Sequence, residues 1–119
     1  MGIIVGVARC ALLAAALTGV SPSVFAQSAY PSKPIQMIVP LAAASAVDNA
    51  ARIVAQRMSQ SMGQSIVVEN QPGAAGLIGT ERVAKAAPDG YTIGGFNDSI
   101  MTMLPNLHAT MPWDILKDF

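Results

Sequence analysis

Three short apolar segments alternate with two longer amphipathic segments, and this alternation constrains the fold more than any other feature. The apolar segments are residues 35–39, 65–69 and 91–96, which carry the β-branched and aromatic side chains typical of strands. Segments 48–62 and 77–86 place apolar residues at helical spacing. Strands separated by a helical crossover of this length are joined as parallel neighbours. The pattern predicts an α/β fold with a three-stranded parallel βαβαβ core and flanking helices.

Particular residues predict where the two helices begin and end, and which of their side chains face the sheet. Asp48 is expected to be the N-cap of the first helix, and Gly63 is expected to end it. After the third strand, residues 97–99 predict a turn and residues 100–104 a short helix that stops before Pro105, followed by an irregular tail. The side chains expected to face the sheet are Ala51, Ile53, Val54, Met58 and Met62 in the first helix and Ile78, Val83 and Ala84 in the second.

The first 26 residues differ from the rest of the chain and predict a cleavable signal peptide. This signal peptide is expected to be a helix that precedes the fold. Arg9 is followed by an apolar run, Cys10–Val20, and then by the triplet Val24–Ala26, whose aliphatic first residue and small last residue suit signal peptidase. We expect cleavage after Ala26, so that the mature chain begins at Gln27. A membrane anchor is the alternative, but a central arginine such as Arg9 costs roughly 2.5–3.5 kcal/mol on insertion.

Composition excludes several classes of partner and cofactor. The chain has 119 residues, with seven basic and seven acidic side chains and a formal net charge of zero, so no nucleic-acid partner is expected. A single cysteine, Cys10, and a single histidine, His108, leave no metal cluster, and no cofactor is expected. Gly73, Gly76 and Gly79 are spaced G-x-x-G-x-x-G, which is not the dinucleotide pattern, and no phosphate-loop lysine follows them.

Ligand chemistry is expected in the loops at the carboxyl ends of the three strands, residues 40–47, 70–76 and 97–99. The first two loops consist largely of small residues and lead into helix N-termini, where exposed backbone amides attract an anion such as a carboxylate. Asp48 is assigned mainly to capping, with an added role in binding left open. Asp98 either contacts a ligand amine or is a plain turn carboxylate. No strong acid, base or nucleophile is evident, so the pattern favours binding over catalysis.

Five ordered blocks between residues 30 and 119 carry a family resemblance. They are Tyr30–Ile35, Ile38–Ala43, Val67–Ala74, Val83–Thr92 and Leu116–Phe119. Together they resemble the substrate-binding proteins of tripartite tricarboxylate transporters, also called the Bug family of periplasmic solute receptors. The resemblance implies a type II periplasmic-binding fold whose two lobes close on a small carboxylate. It also implies a periplasmic location and, as partners, the carboxylate solute and the membrane components of the transporter. Membrane contact is expected only through an uncleaved signal segment.

The resemblance implies that backbone amides and waters of the first strand–helix loop hold the carboxylate of the solute. Members of the family usually have two glycines late in this loop, where this chain has Ala44 and Ser45. A positive φ there would strain alanine and weaken anion binding. Carried over by position, the expected ligand-binding residues are Leu41, Ala42, Ala43, Ala44, Ser45 and Asp48 in the first loop, Gly73 and Ala74 in the second, and Asn97, Asp98 and Ser99 in the third.

Members of the family are considerably longer than this chain, so residues 27–119 are expected to form an incomplete N-terminal lobe, domain 1, after the signal peptide 1–26. One partial lobe offers a half-open shelf, which predicts weak or no solute binding by this chain alone. Its exposed apolar sheet edge, where later strands would pair, predicts a risk of aggregation. The primary hypothesis is a receptor fragment that captures a small carboxylate and is not an enzyme. The alternatives are a truncated, non-binding relic and, with less support, a secreted nucleotide-binding enzyme or a hydrolase using Ser45, Asp48 and His108.

Overall fold

A computed structural model describes residues 29–119, and the predicted signal peptide lies outside the described residues. The strands and main helices are β1 (Ile35–Val39), α1 (Ala46–Met62), β2 (Ile66–Asn70), α2 (Leu77–Ala84) and β3 (Thr92–Gly94). A 3₁₀ turn (Ala74–Gly76) precedes α2, and a π-helical turn (Ser99–Met103) runs directly into the short helix α3 (Leu104–Leu107). The predicted alternation of strands and helices is confirmed.

The three strands form one parallel sheet in the order β2-β1-β3. The register of β1 with β2 runs from Ile35 opposite Ile66 to Val39 opposite Asn70, and Met37 of β1 lies opposite Ile93 of β3. The first crossover therefore leads to one side of β1 and the second to the other side. Where the strand order switches in this way, the loops after neighbouring strands lead to opposite faces of the sheet. A crevice opens between these loops at the carboxyl edge of the sheet.

The main core lies between α1 and one face of the sheet, where Met37 and Val39 pack against Ala51 and Ala55. The two alanines let the helix axis approach the strands closely, and Met58 continues the same side of the helix. The prediction that Ile53 and Val54 face the sheet is wrong, because these side chains are 65% and 50% exposed. Ile53 lies about 200° around the helix from Ala51, so one helix cannot bury both against one sheet.

Helix α2 covers the opposite face of the sheet, where Ile38 is fully buried. The prediction that Ile78 faces inward is wrong, because Gly79 and Thr80 occupy the inward positions and Ile78 is 50% exposed. The Thr80 hydroxyl donates a hydrogen bond to the carbonyl of Gly76 at 2.8 Å. A glycine, and a threonine whose hydroxyl bonds the helix backbone, permit a closer approach to the sheet than the larger side chain of an isoleucine would.

Element ends differ from the predictions in a few places. Helix α2 ends at Ala84, two residues earlier than expected, and β3 is limited to three residues. The last helical segment passes through Pro105, which is tolerated there because it lies in the first turn of α3. The tail beyond His108 is irregular, as predicted, although Trp113 is buried. Between residues 29 and 119, every helix is too short or too polar to cross a bilayer.

Candidate functional site

The loops that follow β1 and β2 are joined directly at the carboxyl edge of the sheet. The amide of Gln71 donates to the carbonyl of Val39 at 2.8 Å, which extends the β1–β2 ladder by one bond. Beyond it, the side-chain amide of Asn70 donates to the carbonyl of Leu41 at 3.2 Å. The two small-residue loops therefore leave the sheet as neighbours.

The segment after β3 reaches the same place through Ile100. This side chain is almost completely buried, and its Cδ1 would lie 3.0 Å from a Cβ placed on Gly76. The same position on Gly76 lies 3.4 Å from the carbonyl oxygen of Pro40. The loops after all three strands thus converge around Pro40, Gly76 and Ile100, as the parallel topology predicted.

The first loop enters α1 through Ser45, which corrects the assignment of Asp48 as the N-cap. Helix α1 begins at Ala46, and the Ser45 hydroxyl accepts a hydrogen bond from the amide of Asp48 at 3.2 Å. Asp48 is the third helical residue and reaches back to the amide of Ala44 at 2.8 Å. The two residues act together as in a capping box, with the helix starting two positions earlier than the apolar periodicity suggested.

The carboxylate of Asp48 is the centre of a buried polar array. The residue is 2% exposed. Its Oδ2 accepts from the Ala44 amide at 2.8 Å and from Arg52 Nε at 3.1 Å, while its Oδ1 accepts from Asn70 Nδ2 at 2.9 Å. The Arg52 guanidinium, the Ala44 amide and the Asn70 amide lower the pKa of Asp48 from 3.8 to about 2. Asp48 therefore stays ionised, and both of its carboxylate oxygens accept hydrogen bonds from groups of the protein itself.

The backbone of the first loop shows which amides remain for a ligand. Ala44 donates to Asp48, and the amide of Ser45 donates to the carbonyl of Ala42 at 3.3 Å. Ala46 and Val47 stand in the first helical turn, where amides have no acceptor within the helix, and the cap takes only the amide of Asp48. The sequence places Ala46 and Val47 in the first loop, residues 40–47, but does not single them out as helix-start donors, although the Ser-x-x-Asp spacing at 45–48 is a signal for a helix that begins at Ala46.

Of Ala44 and Ser45, the two positions at which the family resemblance predicts glycine, only one shows the expected backbone strain. Ala44 has a φ of 64°, in the left-handed region, whereas Ser45 is extended with a φ of −67°. The side chains of Ala42, Ala43 and Ala44 are exposed, so the loop offers mainly backbone to solvent. Only the first of the two family glycine positions requires a glycine-like conformation here.

The second loop also presents backbone. Gly73 has a φ of 138°, and a Cβ there would lie 2.7 Å from Ile78 Cδ1. Ala74 and Ala75 both adopt positive φ values, 46° and 57°, and the amide of Gly76 closes the turn on the Gly73 carbonyl at 2.8 Å. Residues 73–76, which lead directly into α2, have no polar side chain of their own.

The third loop is a helix cap rather than a plain turn. Asn97 Oδ1 accepts from the amide of Ile100 at 3.3 Å, and Asp98 Oδ1 accepts from the amide of Ser99 at 2.9 Å. Asp98 and Ser99 are exposed and Asn97 is half-buried. These residues therefore organise the π-helical turn and remain accessible from solvent.

Among residues 29–119, Ser45 and Asp48 are neighbours, but no hydrogen bond joins His108 to either of them. The Ser45 hydroxyl caps α1, and the Asp48 carboxylate is bonded to Ala44, Arg52 and Asn70. His108 is exposed in the tail, as expected of a surface residue. Within residues 29–119, no group of three or more histidine, cysteine, aspartate or glutamate side chains is arranged to hold a metal ion.

The fold is similar to that of solved periplasmic solute-binding proteins. A solved structure described as a periplasmic transporter superposes with a TM-score of 0.72 and 48% identity, covering 75% of this chain and 30% of that chain. Residues 50–119 match the family described as "Tripartite tricarboxylate transporter family receptor", and the chain belongs to that family. The predicted family and fold class are confirmed.

Full-length relatives place the chain within a longer architecture. A UPF0065 protein of Bordetella bronchiseptica is 39% identical over 117 residues, which are 98% of this chain and 35% of that protein. Protein BugT of Bordetella pertussis is 39% identical over 104 residues, covering 87% of this chain and 32% of that protein. The chain thus spans about a third of the length of the curated relatives it matches.

Two further solved structures contain carboxylate ligands. Rpa4515 of Rhodopseudomonas palustris, described with adipate, gives a TM-score of 0.68 at 32% identity and covers 73% of this chain and 29% of that chain. MatC of the same organism, described with bound malate, gives a TM-score of 0.57 at 33% identity and covers 70% of this chain and 29% of that chain.

Proposed function

We propose that this chain contributes one wall of a carboxylate-binding site in a periplasmic solute receptor of a tripartite tricarboxylate transporter. The observation that carries the proposal is the pair of first-turn amides at Ala46 and Val47, next to a loop of exposed alanines at the convergence of three loops. Helix N-termini present partial positive charge, and small side chains let an anion reach it. The chemistry required is anion capture by backbone, without a reacting side chain.

The solute class is a small carboxylate, and dicarboxylates are the first candidates. Two structural relatives are described with adipate and malate, each at more than 30% identity. The described residues near the first loop offer one basic side chain, Arg52, which is bonded to Asp48 and Asn70. We therefore assign the main contacts with the carboxylate to backbone amides.

The proposed ligand contacts combine the family positions with the donors that the helix start leaves available. Asp48 acts beneath the loop rather than as a direct contact, because its oxygens accept bonds from inside the protein. The proposed set is Leu41, Ala42, Ala43, Ala44, Ser45, Ala46 and Val47 in the first loop and helix start, Gly73 and Ala74 in the second loop, and Asn97, Asp98 and Ser99 in the third.

The wider organisation is part of the same proposal. Residues 1–26 act as a signal peptide that is removed after Ala26, and residues 27–119 form a portion of the first lobe. The mature chain then works in the periplasm with the membrane components of the transporter. Mass spectrometry of protein recovered from the periplasm tests this directly, because a mature N-terminus other than Gln27 contradicts the assigned cleavage site.

Backbone NMR with adipate as the probe tests the binding site. Addition of adipate to the ¹⁵N-labelled protein is expected to shift the amide signals of Ala46 and Val47 saturably. A single wall that leaves the ligand half exposed should bind with a Kd on the order of 1 mM. Adipamide, which has the same length and no charge, is the matched control and should leave these signals in place.

The same titration separates the alternative functions. Unchanged spectra with adipate, malate and citrate would favour the non-binding relic. Shifts confined to residues outside the three loops would contradict the assigned site. Turnover of a generic ester or nucleotide by the purified protein would favour the enzyme alternative over the receptor.

A further inference from the structure

We infer that Asn70 is a positioning residue of the carboxylate site, which holds the first loop and the start of α1 in register with the end of β2. This inference rests on the proposed function, because it concerns the same site. The sequence places Asn70 at the start of the second loop, residues 70–76, but does not single it out among the expected ligand-binding residues. It lies 22 residues from Asp48 along the chain and meets it only in the folded protein.

The side chain of Asn70 connects three separate parts of the molecule. Its Nδ2 donates to the carbonyl of Leu41 in the first loop at 3.2 Å and to Asp48 Oδ1 at 2.9 Å. Its Oδ1 accepts from Arg52 Nη2 at 2.9 Å. An amide is the side chain that can donate twice and accept once in this way, since a carboxylate can only accept.

The position of the Ala44 amide depends on this arrangement. Asp48 uses one oxygen for Asn70 and the other for the Ala44 amide at 2.8 Å. If Asn70 stops donating, the Asp48 carboxylate loses one of the three partners that orient it, and Arg52 and the Ala44 amide remain. The bond that stabilises the strained Ala44 turn, with its φ of 64°, is then held less firmly.

Few charged groups face Asn70, which makes the electrostatics of a substitution simple. Asp48 and Arg52 of α1 are the ionisable groups bonded within this array. The preceding residue, Glu69, belongs to the opposite face of the sheet, where it pairs with Arg82 of α2. A new carboxylate at position 70 would therefore meet Asp48 as its nearest like charge.

Substitution of Asn70 by aspartate tests the inference with little change of shape. At about pH 7 the two carboxylates repel, and Asn70→Asp should bind adipate about tenfold or more weakly than the unmodified protein, as expected for loss of a hydrogen bond to a charged group. At about pH 5 a larger share of the molecules carries a proton on one of the two carboxylates, because like charges raise the pKa of one member while Arg52, 2.9 Å from Asn70 Oδ1, opposes that rise. This proton restores a donor, so the affinity relative to the unmodified protein in the same buffer should be higher at about pH 5 than at about pH 7.

Two further variants control for folding and for charge. Asn70→Ala removes the donors without adding charge, so its affinity should be about tenfold lower at both pH values. Asn106→Asp makes the same chemical change on exposed α3 and should bind as the unmodified protein does. Unchanged amide signals of Ile38 and Ala55 in each variant show that the core is intact.

Hydrogen exchange of the Ala44 amide decides the inference without any ligand. The exchange protection factor of the Ala44 amide should fall in Asn70→Asp at about pH 7, rise again towards about pH 5, and stay low in Asn70→Ala at both pH values. If the unmodified protein fails to bind adipate, the proposed function fails, and this protection factor alone decides the positioning role. Full Ala44 protection and unchanged adipate affinity in Asn70→Asp at both pH values would overturn the inference.

Discussion

Ala44 is the residue at which the first loop stores conformational strain. Its φ of 64° is typical of glycine, and its amide is held by the buried carboxylate of Asp48. A left-handed alanine costs roughly 1–2 kcal/mol relative to the usual helical conformation. The hydrogen bond to an ionised group offsets part of this cost, which explains how alanine is accommodated where the family usually has glycine.

Ala44→Gly should therefore stabilise the protein by about 0.5–1 kcal/mol, after allowance for the greater flexibility of glycine in the unfolded chain. Urea unfolding measures the change. Ala43→Gly is the matched control, because Ala43 has no positive φ, and it should lower stability by about 0.4–1 kcal/mol. A destabilised Ala44→Gly variant would show that position 44 is not strained in solution.

Asp48 makes the stability of the protein depend on pH in the acid range. The folded state lowers its pKa from 3.8 to about 2, mainly through Arg52, so the ionised carboxylate favours the folded state. Its contribution is fully present above the ordinary carboxyl pKa and is lost as the pH falls through about 2. The free energy of unfolding of the unmodified protein should exceed that of Asp48→Asn above about pH 5, and the gap should close between about pH 4 and about pH 2.

Urea unfolding at several pH values measures this gap. Asp89→Asn removes an exposed carboxylate and controls for the loss of one surface charge. A gap between the unmodified protein and Asp48→Asn that persists unchanged at about pH 2 would contradict the ion pair with Arg52 as its source.

At the scale of elements, the close approach of α2 to the loops depends on Gly79. A Cβ at this position would lie 2.7 Å from the carbonyl oxygen of Gln71 and 2.8 Å from Pro40 Cβ. The neighbours are backbone and a rigid ring, so neither can move aside easily. The absence of a side chain thus allows α2 to pack where the loops after β1 and β2 leave the sheet.

Gly79→Ala should destabilise the protein by about 1–3 kcal/mol, although alanine favours an isolated helix by about 1 kcal/mol. Thermal and urea unfolding measure the loss. Gly63→Ala is an informative comparison, because nothing lies within 4 Å of its Cβ position and only its φ of 67° opposes the change. An equally stable Gly79→Ala variant would mean that α2 stands farther from Pro40 than described.

At the scale of the whole molecule, the described residues leave an apolar surface beside β3. A pocket of about 260 Å³ lies between α1 and the end of β3, and Met37, Val54 and Phe96 are among the residues that line it. This pocket is mainly apolar and adjoins the start of α1 through Val47, whose backbone amide belongs to the proposed anion site. Together with the half-exposed Val54, it forms an apolar surface next to an edge strand, which favours self-association.

Val54→Lys should reduce self-association and change the free energy of unfolding by less than about 0.5 kcal/mol, because Val54 is half exposed. Light scattering at increasing protein concentration measures the association. Ala55→Lys, one residue further along α1, places the charge in the core and should prevent folding. Equal scattering from Val54→Lys and the unmodified protein would exclude this surface as the source of association.

The order of the elements and the family were accessible from the sequence because both depend on local patterns. The apolar run at 35–39 and the helical spacing at 48–62 each define an element within one stretch of chain. The prediction that the three loops meet at the carboxyl edge of the sheet followed from the parallel topology alone. The rotation of each helix about its own axis was not accessible from the sequence. Hydrophobicity predicts that Ile53, Val54 and Ile78 face the sheet, but the smaller residues Ala51, Ala55 and Gly79 do so instead.

The sequence by itself determined the strand–helix alternation, the small-residue loops and the family membership of this protein. Only the tertiary structure decided which backbone amides remain available and how Asn70 joins Asp48 and Arg52 beneath them. The physical reason is that strand and helix preferences act between neighbouring residues. Hydrogen bonds between elements instead depend on how far a helix is rotated and how closely it approaches the sheet, which packing alone sets.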